Sequence, residues 1–219
     1  MMNKETITGG HQMNQEIFEK LKETGIYPII VMKDAENAST LGEILKNNGM
    51  MCAEVSFRTD AAEEIIRVLR TYYPDLLIGA GTVATVEQAE KAINAGAQFI
   101  VSNGMNQKVS KYVMEKGMTM IPGVCSPTDI EDAINLGIHV VKYFPAEAMG
   151  GVKMIKALAA AYPMMKFIPT GGINTENADK YLEMNSVLAC GGSWMVGDDL
   201  NISEQLVKEA VDLVKRIRK

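Results

Sequence analysis

The stretch Leu76–Ser102, LLIGAGTVATVEQAEKAINAGAQFIVS, decides the fold because it holds one complete structural repeat. It opens with a short apolar run, Leu76–Ala80, and closes with another, Gln98–Ser102. Between them Thr85 stands where a helix N-cap belongs, and Gly96 stands where a helix ends before a strand. The stretch therefore predicts a strand, a helix and a second strand, and such a crossover connection is typical of parallel strands.

The same pattern extends in both directions along the chain. Segments between the apolar runs carry hydrophobic residues at helical spacing, such as Ala61, Ile65 and Val68. The repeats follow one another without a long linker, which predicts an α/β fold in a single domain, a (β/α)8 TIM barrel with an N-terminal helix from Asn14 to Thr24. An open, doubly wound sheet is the alternative. The predicted strands are Ile26–Met32, Cys52–Phe57, Leu76–Ala80, Gln98–Ser102, Met118–Pro122, His139–Phe144, Lys166–Thr170 and Val187–Cys190.

Composition narrows the class of protein further. The chain has 219 residues, and 22 Lys and Arg against 27 Asp and Glu give a net charge of -5, which argues against a nucleic-acid partner. Three widely separated cysteines form neither a disulfide framework nor a metal motif, and they favour a cytoplasmic location. No apolar run is long enough to span a membrane. We expect residues 1–13 to be a flexible leader and residues 14–219 to form the barrel domain.

Two charged residues interrupt apolar strands and form the first candidate site. Lys142 lies within the run His139–Phe144, and Glu54 shares one strand face with Cys52 and Ser56. If the even-numbered positions face the interior, Glu54 and Lys142 point toward each other. A buried ion pair without any reaction is one interpretation. The other is an imine-forming nucleophile, because burial favours the neutral amine that such chemistry requires.

Further polar and glycine-rich segments follow the predicted strands, at the edge where barrel active sites lie. Arg58 follows the second strand and is suited to bind a carboxylate, and Thr82 follows the third strand. Gly171-Gly172 and Gly191-Gly192 follow strands seven and eight, the usual phosphate site of this fold. We expect their amides, with a helix opening at Asn174, to hold an anion.

Together these segments resemble the family of 2-keto-3-deoxy-6-phosphogluconate (KDPG) and 4-hydroxy-2-oxoglutarate (KHG) aldolases. The similarity covers nearly the whole chain after the leader. The motifs that carry it are Glu54-Val55-Ser56-Phe57-Arg58-Thr59, Gly79-Ala80-Gly81-Thr82-Val83, Lys142-Tyr143-Phe144-Pro145-Ala146-Glu147, Pro169-Thr170-Gly171-Gly172-Ile173 and Gly191-Gly192-Ser193-Trp194.

The resemblance implies a class I aldolase that needs no cofactor and no metal and that is a cytoplasmic homotrimer. It implies that Lys142 is the Schiff-base nucleophile and Glu54 the general acid/base. The expected substrate is a small 2-keto acid, KDPG, cleaved to pyruvate and glyceraldehyde 3-phosphate. The residues implied in substrate binding are Arg58 and Thr82 at the carboxylate, Thr170 and Phe144 in the pocket wall, and Gly171, Gly172 and Ser193 at the phosphate.

Several alternatives stay open at this point. KHG, which yields glyoxylate, and the galactonate epimer of KDPG differ from KDPG in the tail or at C4. Asn103 and Lys33 depart from the family's common proline and arginine, and both departures bear on substrate choice. Other classes are a metal-dependent lyase, a sugar-phosphate isomerase or synthase, and a phosphate-binding barrel without imine chemistry.

Overall fold

The protein is described by a computed structural model that covers residues 4–197 and 200–218, with side chains for 14–197, 200 and 203–218. Its helices are α1 (Lys4–Thr24), α2 (Ala38–Asn47), α3 (Ala62–Tyr72), α4 (Val86–Asn94), α5 (Gln107–Glu115), α6 (Pro127–Asn135), α7 (Gly151–Ala161), α8 (Ala178–Leu182) and α9 (Leu200–Ile217). Its strands are β1 (Ile26–Ile30), β2 (Cys52–Ser56), β3 (Leu77–Gly81), β4 (Phe99–Val101), β5 (Thr119–Ile121), β6 (Gly123–Val124), β7 (Val140–Tyr143), β8 (Lys166–Pro169) and β9 (Cys190–Gly192).

The strands form two parallel sheets. The larger one is curled and runs in the order β5-β4-β3-β2-β1-β9, and the smaller one runs β6-β7-β8. Every pairing within them is parallel. The predicted α/β class with parallel strands is confirmed.

Both faces of the larger sheet are buried, which explains why its strands read as nearly continuous apolar runs. On the inner side Gly79 of β3 lies opposite Phe99 of β4. A Cβ atom at Gly79 would overlap the Phe99 ring, so the glycine leaves the space that the ring fills. Gly79 also pairs with Glu54 on its other side, so the Phe99 ring packs one strand away from the Glu54 strand.

Backbone contacts also join elements of the two sheets. Pro122, between β5 and β6, accepts a hydrogen bond from the amide of Lys142 at 2.9 Å. On the other side the amide of Leu188 donates to Phe167 of β8 at 2.9 Å, and Thr170 forms a parallel bridge with Gly191. The strands that carry Lys142 and Glu54 therefore lie around one shared interior.

Two predicted strands differ from the structure. The fifth is divided at Pro122, because a proline nitrogen cannot donate to the strand ladder. The eighth was predicted at Val187–Cys190, which is too early: Val187 makes a single bridge to Phe167, and the paired strand begins at Cys190. Gly191-Gly192 therefore belongs to strand β9 and is not the turn that its composition indicated.

The first helix begins at Lys4, so residues 4–13 of the expected leader have helical backbone. Their side chains lie outside the described part of the chain, and the domain boundary at residue 13 stays a prediction. Over the described residues, no helix combines the length and the apolar character that crossing a membrane requires.

Candidate active site

Lys142 of β7 and Glu54 of β2 meet in the interior. The Nζ atom of Lys142 lies 3.6 Å from Oε1 of Glu54, and the two side chains are 2% and 0% exposed. Strand alternation carries both groups inward from opposite sheets. Charged side chains are almost never this deeply buried without a partner, and each supplies the other's countercharge.

The amine of Lys142 has two further neighbours. Oδ1 of Asn103, in the loop after β4, accepts a hydrogen bond from Nζ at 2.9 Å. The ring of Phe144 lies 5.0 Å from Nζ, within the range of a cation–π contact. Glu54, Asn103 and Phe144 therefore surround this nitrogen on three sides.

The carboxylate of Glu54 occupies space that a glycine provides. A Cβ atom at Gly81 of β3 would overlap this carboxylate. Within the described residues neither oxygen of Glu54 has a hydrogen-bond partner. Buried carboxylate oxygens normally accept hydrogen bonds, so these atoms mark a place where a polar ligand completes the structure.

Tyr27 of β1 is buried beside this carboxylate, close enough to interact with it, but its hydroxyl makes no well-aligned hydrogen bond to any described residue. Burial and then the charge of Glu54 raise the pKa of the Tyr27 hydroxyl well above its usual range. The same two causes raise the pKa of the Cys52 thiol. Both groups are thus held neutral beside the Glu54 carboxylate.

A cluster of polar groups lies at the carboxyl ends of β2 and β3. Oγ of Ser56 and Oγ1 of Thr82 are 2.9 Å apart, and Nε of Arg58 donates to Ser56 Oγ at 3.0 Å. Thr82 has a φ of 56°, which is rare for a residue other than glycine and occurs at functional sites. The contact uses only Nε of Arg58, and among the described residues its terminal nitrogens have no partner. The structure brings the two predicted carboxylate-binding residues together through Ser56.

At the end of the site where the sequence predicts phosphate binding, the main features are two glycines and two hydroxyl groups. Gly171 and Gly172, after β8, have φ values of 96° and 82°, a conformation that side chains rarely adopt. Ser193 is exposed. Buried Thr170 has a hydroxyl without a hydrogen-bond partner in the described chain.

The helix expected to open at Asn174 does not begin there. α8 starts at Ala178, and Oδ1 of Asn174 accepts a hydrogen bond from the amide of Glu176 instead. The Asn side chain closes a local turn, which competes with capping a helix. The expected helix terminus at Asn174 is therefore absent from this candidate anion site, and the glycine amides stay a prediction.

Cavities lie at both ends of the strands. One of about 430 Å³ is lined by Thr82, Ser102 and Asn103, next to the polar cluster. A larger one, of about 1040 Å³, lies near Phe18 and Val140 at the amino ends of the strands. The buried Lys142 and Glu54 do not line the larger cavity, so its size alone does not make it the active site.

Sequence reasoning missed two contacts of the buried pair. Asn103 was noted only as a departure from a family pattern, although its position directly after a strand at the carboxyl edge was an available signal. Tyr27 lies two residues before Ile29, which pairs with Glu54, so β1 turns its odd-numbered positions inward and the even-numbered rule that identified Glu54 does not extend to Tyr27. Lys142 and Glu54 were found because each is a charged residue within an apolar strand.

A parallel α/β sheet with a buried acid and a buried amine near the carboxyl ends of its strands defines an α/β enzyme. The family model for KDPG and KHG aldolase matches residues 17–213. The chain belongs to the KDPG and KHG aldolase family.

Three similar proteins match this chain over most of its length. A 2-dehydro-3-deoxy-phosphogluconate aldolase of Haemophilus influenzae is 44% identical over 207 residues, covering 92% of this chain and 98% of its own. The KDPG aldolase of Zymomonas mobilis, solved with 3-phosphoglycerate, has a TM-score of 0.86 and 33% identity, covering 91% and 96%. The KDPG aldolase of Legionella pneumophila, solved with pyruvate captured as a covalent carbinolamine, has a TM-score of 0.82 and 34% identity, covering 93% and 97%.

Proposed function

We propose that this protein is a class I aldolase, a lyase that cleaves KDPG to pyruvate and glyceraldehyde 3-phosphate. The observation that carries the proposal is the buried amine of Lys142, 3.6 Å from the Glu54 carboxylate, in a member of this aldolase family. Lys142 is the nucleophile and Glu54 the general acid/base. Neither role requires a metal or a cofactor.

Imine formation begins when the Lys142 ammonium gives a proton to Glu54. The neutral amine then adds to the C2 carbonyl of the keto acid, forming a carbinolamine. Glu54 returns the proton to the C2 hydroxyl, which leaves as water, and the product is an iminium ion. The short distance between the two groups supports this exchange, either directly or through one water.

Cleavage uses the iminium as an electron sink. The Glu54 carboxylate, directly or through one water, takes the proton of the C4 hydroxyl as the C3–C4 bond breaks. The aldehyde leaves, and the electrons of the broken bond form an enamine with the former iminium. Protonated Glu54 then delivers a proton to C3, and water hydrolyses the resulting imine to release pyruvate and Lys142. One carboxylate serves several steps because its protonation state alternates.

We assign the substrate-binding roles from the chemical groups that each residue offers. Arg58 and Thr82 hold the keto-acid carboxylate, since a guanidinium and a hydroxyl supply the donors it needs. Thr170 and Phe144 line the pocket, and Gly171, Gly172 and Ser193 hold the phosphate. KHG and the galactonate epimer share the pyruvate half, so they are the alternative substrates.

We also propose that the two sheets form a closed barrel. The bonds from Lys142 to Pro122 and from Leu188 to Phe167, with the bridge from Thr170 to Gly191, support closure of both sheets into one eight-stranded barrel. β5 and β6 are then two parts of the fifth strand. The N-terminal helix packs outside this barrel, and the family resemblance supports a cytoplasmic homotrimer.

Borohydride reduction in the presence of pyruvate tests the function. We expect one reduced pyruvyl group on Lys142, which blocks tryptic cleavage there and appears on the peptide 117–153. The variant Lys142→Met should take up no label. The matched variant Lys166→Met, which removes an exposed strand lysine, should be labelled normally. Labelling of another lysine contradicts the assignment of Lys142 as the nucleophile. No labelling of the wild type contradicts the aldolase function and favours a phosphate-binding protein without imine chemistry.

A further inference from the structure

The loop that contains Asn103 is fixed by its own contacts. Oγ of Ser102 donates a hydrogen bond to the carbonyl of Gly104 at 2.8 Å, which closes a tight turn around Asn103. A Cβ atom at Gly123 would overlap the Asn103 carbonyl, so the loop passes directly over the start of β6. Asn103 is half-buried, and its side chain extends from this restrained turn toward β7.

Its contact with Lys142 has a defined direction. An ammonium group has only donors, so the amide oxygen of Asn103, and not its NH2 group, must face Nζ. The separation of 2.9 Å is that of an ordinary hydrogen bond, whereas Oε1 of Glu54 is 3.6 Å away. Within the described residues, Asn103 is the only hydrogen-bond acceptor of this amine.

We propose that Asn103 is a positioning residue that orients the Lys142 amine for attack on the substrate carbonyl, an inference that rests on the proposed aldolase function. A neutral amine has two N–H bonds and one lone pair. Asn103 accepts one N–H bond and so fixes rotation about the Cε–Nζ bond. The lone pair is then held in one direction, and the carboxylate of Glu54 remains available for proton transfer.

The alternative is a purely structural role for Asn103 in its loop, and the same loop supplies a matched control. Asn106 caps α5 by accepting a hydrogen bond from the amide of Val109 at 3.1 Å. Its Nδ2 also donates to the carbonyl of Ala84 at 3.0 Å. Asn106 therefore holds the loop without touching Lys142, and its loss reports on loop stability alone.

The test measures the rate of borohydride trapping with pyruvate, and kcat and KM for KDPG, in Asn103→Leu, Asn103→Ala and Asn106→Ala. Asn103→Leu keeps the approximate size but has no acceptor, and Asn103→Ala serves if the leucine perturbs folding. We expect both to reduce kcat and the trapping rate about 10- to 100-fold, the usual effect of a misplaced reacting group, with KM within about twofold of wild type. Asn106→Ala should lower Tm but leave trapping unchanged.

The outcomes separate the two proposals. If the wild type is not trapped at Lys142, the aldolase function fails and the role of Asn103 fails with it. If the wild type is trapped and both folded Asn103 variants are trapped at the same rate, only the positioning role is overturned. An equal loss in Asn106→Ala also overturns it, because the effect would then arise from the loop.

Discussion

The candidate site has a floor, formed by Lys142, Glu54 and Gly81, and a mouth, formed by Arg58 and Ser193. The floor lies on strands, where its two charged side chains are at most 2% exposed. Arg58 and Ser193 follow the strand ends and are exposed. Alternation and close packing leave the floor one arrangement, whereas loops allow the mouth to vary. We therefore expect substitutions in the floor to change the rate of the reaction, and substitutions in the mouth to change which substrate is preferred.

The largest effect is expected on the floor, in Glu54→Gln. Glutamine keeps the shape but cannot accept and return a proton, so kcat should fall about 10²- to 10⁴-fold. Borohydride trapping should persist at a reduced rate, because Lys142 is intact. Steady-state kinetics with KDPG measure the change.

Glu64→Gln is the control for this substitution, since Glu64 is exposed on α3 and pairs with Arg67 at 2.6 Å. Its kcat should match the wild type. Near-normal turnover in folded Glu54→Gln would return Glu54 to a structural role in the buried pair.

A second floor variant, Gly81→Ala, removes no functional group. The added methyl group would overlap the Glu54 carboxylate, which must leave its present position 3.6 Å from Lys142. We expect a loss of about 1–3 kcal/mol of stability, as for an overpacked interior, and a drop of about tenfold or more in kcat. Urea unfolding and steady-state kinetics measure the two effects.

Gly197→Ala makes the same chemical change where a Cβ atom would meet no atom of the described residues within 4 Å. It should leave both kcat and stability near wild type. If Gly81→Ala behaves like Gly197→Ala, the floor is more adaptable than its packing indicates, and the contrast with the mouth disappears.

The smallest effect is expected at the mouth, in Ser193→Asp. A carboxylate near the bound phosphate should lower kcat/KM for KDPG about tenfold, which corresponds to about 1.4 kcal/mol of charge repulsion. KHG has no phosphate, and its kcat/KM should change less than about twofold. Competition between the two substrates in one reaction measures the ratio directly.

Thr71→Asp, on the exposed face of α3, adds the same charge far from the site and should alter neither substrate. Equal losses for KDPG and KHG in Ser193→Asp would show that Ser193 does not bind the phosphate. Substrate preference would then have to be sought at Lys33 or Gly171.

The sequence predicted the floor residues well because the signal for each one lies within its own strand. An isolated charge in an apolar strand identified both Lys142 and Glu54, and the period of two gave their common direction. The hydrogen bond from Lys142 to Asn103 joins residues 39 positions apart through a loop, and no periodicity reports such a contact.

Errors occurred where one residue overrides a pattern. Pro122 divides a strand that is otherwise apolar, and Asn174 closes its own turn and does not cap a helix. Gly191-Gly192 has the composition of a turn, but these residues pair with Tyr27 and Pro28 in a strand. A ring of Trp194 fills the space where a Cβ atom of Gly192 would lie. That contact with a residue two positions further along the chain explains the glycine, and composition alone did not.

The polar atoms buried without partners have a consequence for natural selection and for engineering. The hydroxyls of Tyr27 and Thr170 and both oxygens of Glu54 are in this state among the described residues. Each such group lowers folding stability by about 1–3 kcal/mol relative to a satisfied one. Apolar replacements of Tyr27 and Thr170 would therefore be favoured by any screen for heat resistance alone, whereas an apolar replacement of Glu54 would leave Lys142 buried without its countercharge. A stabilised descendant of this protein should be selected for turnover at every round, because the simplest gains in robustness lie within the candidate active site.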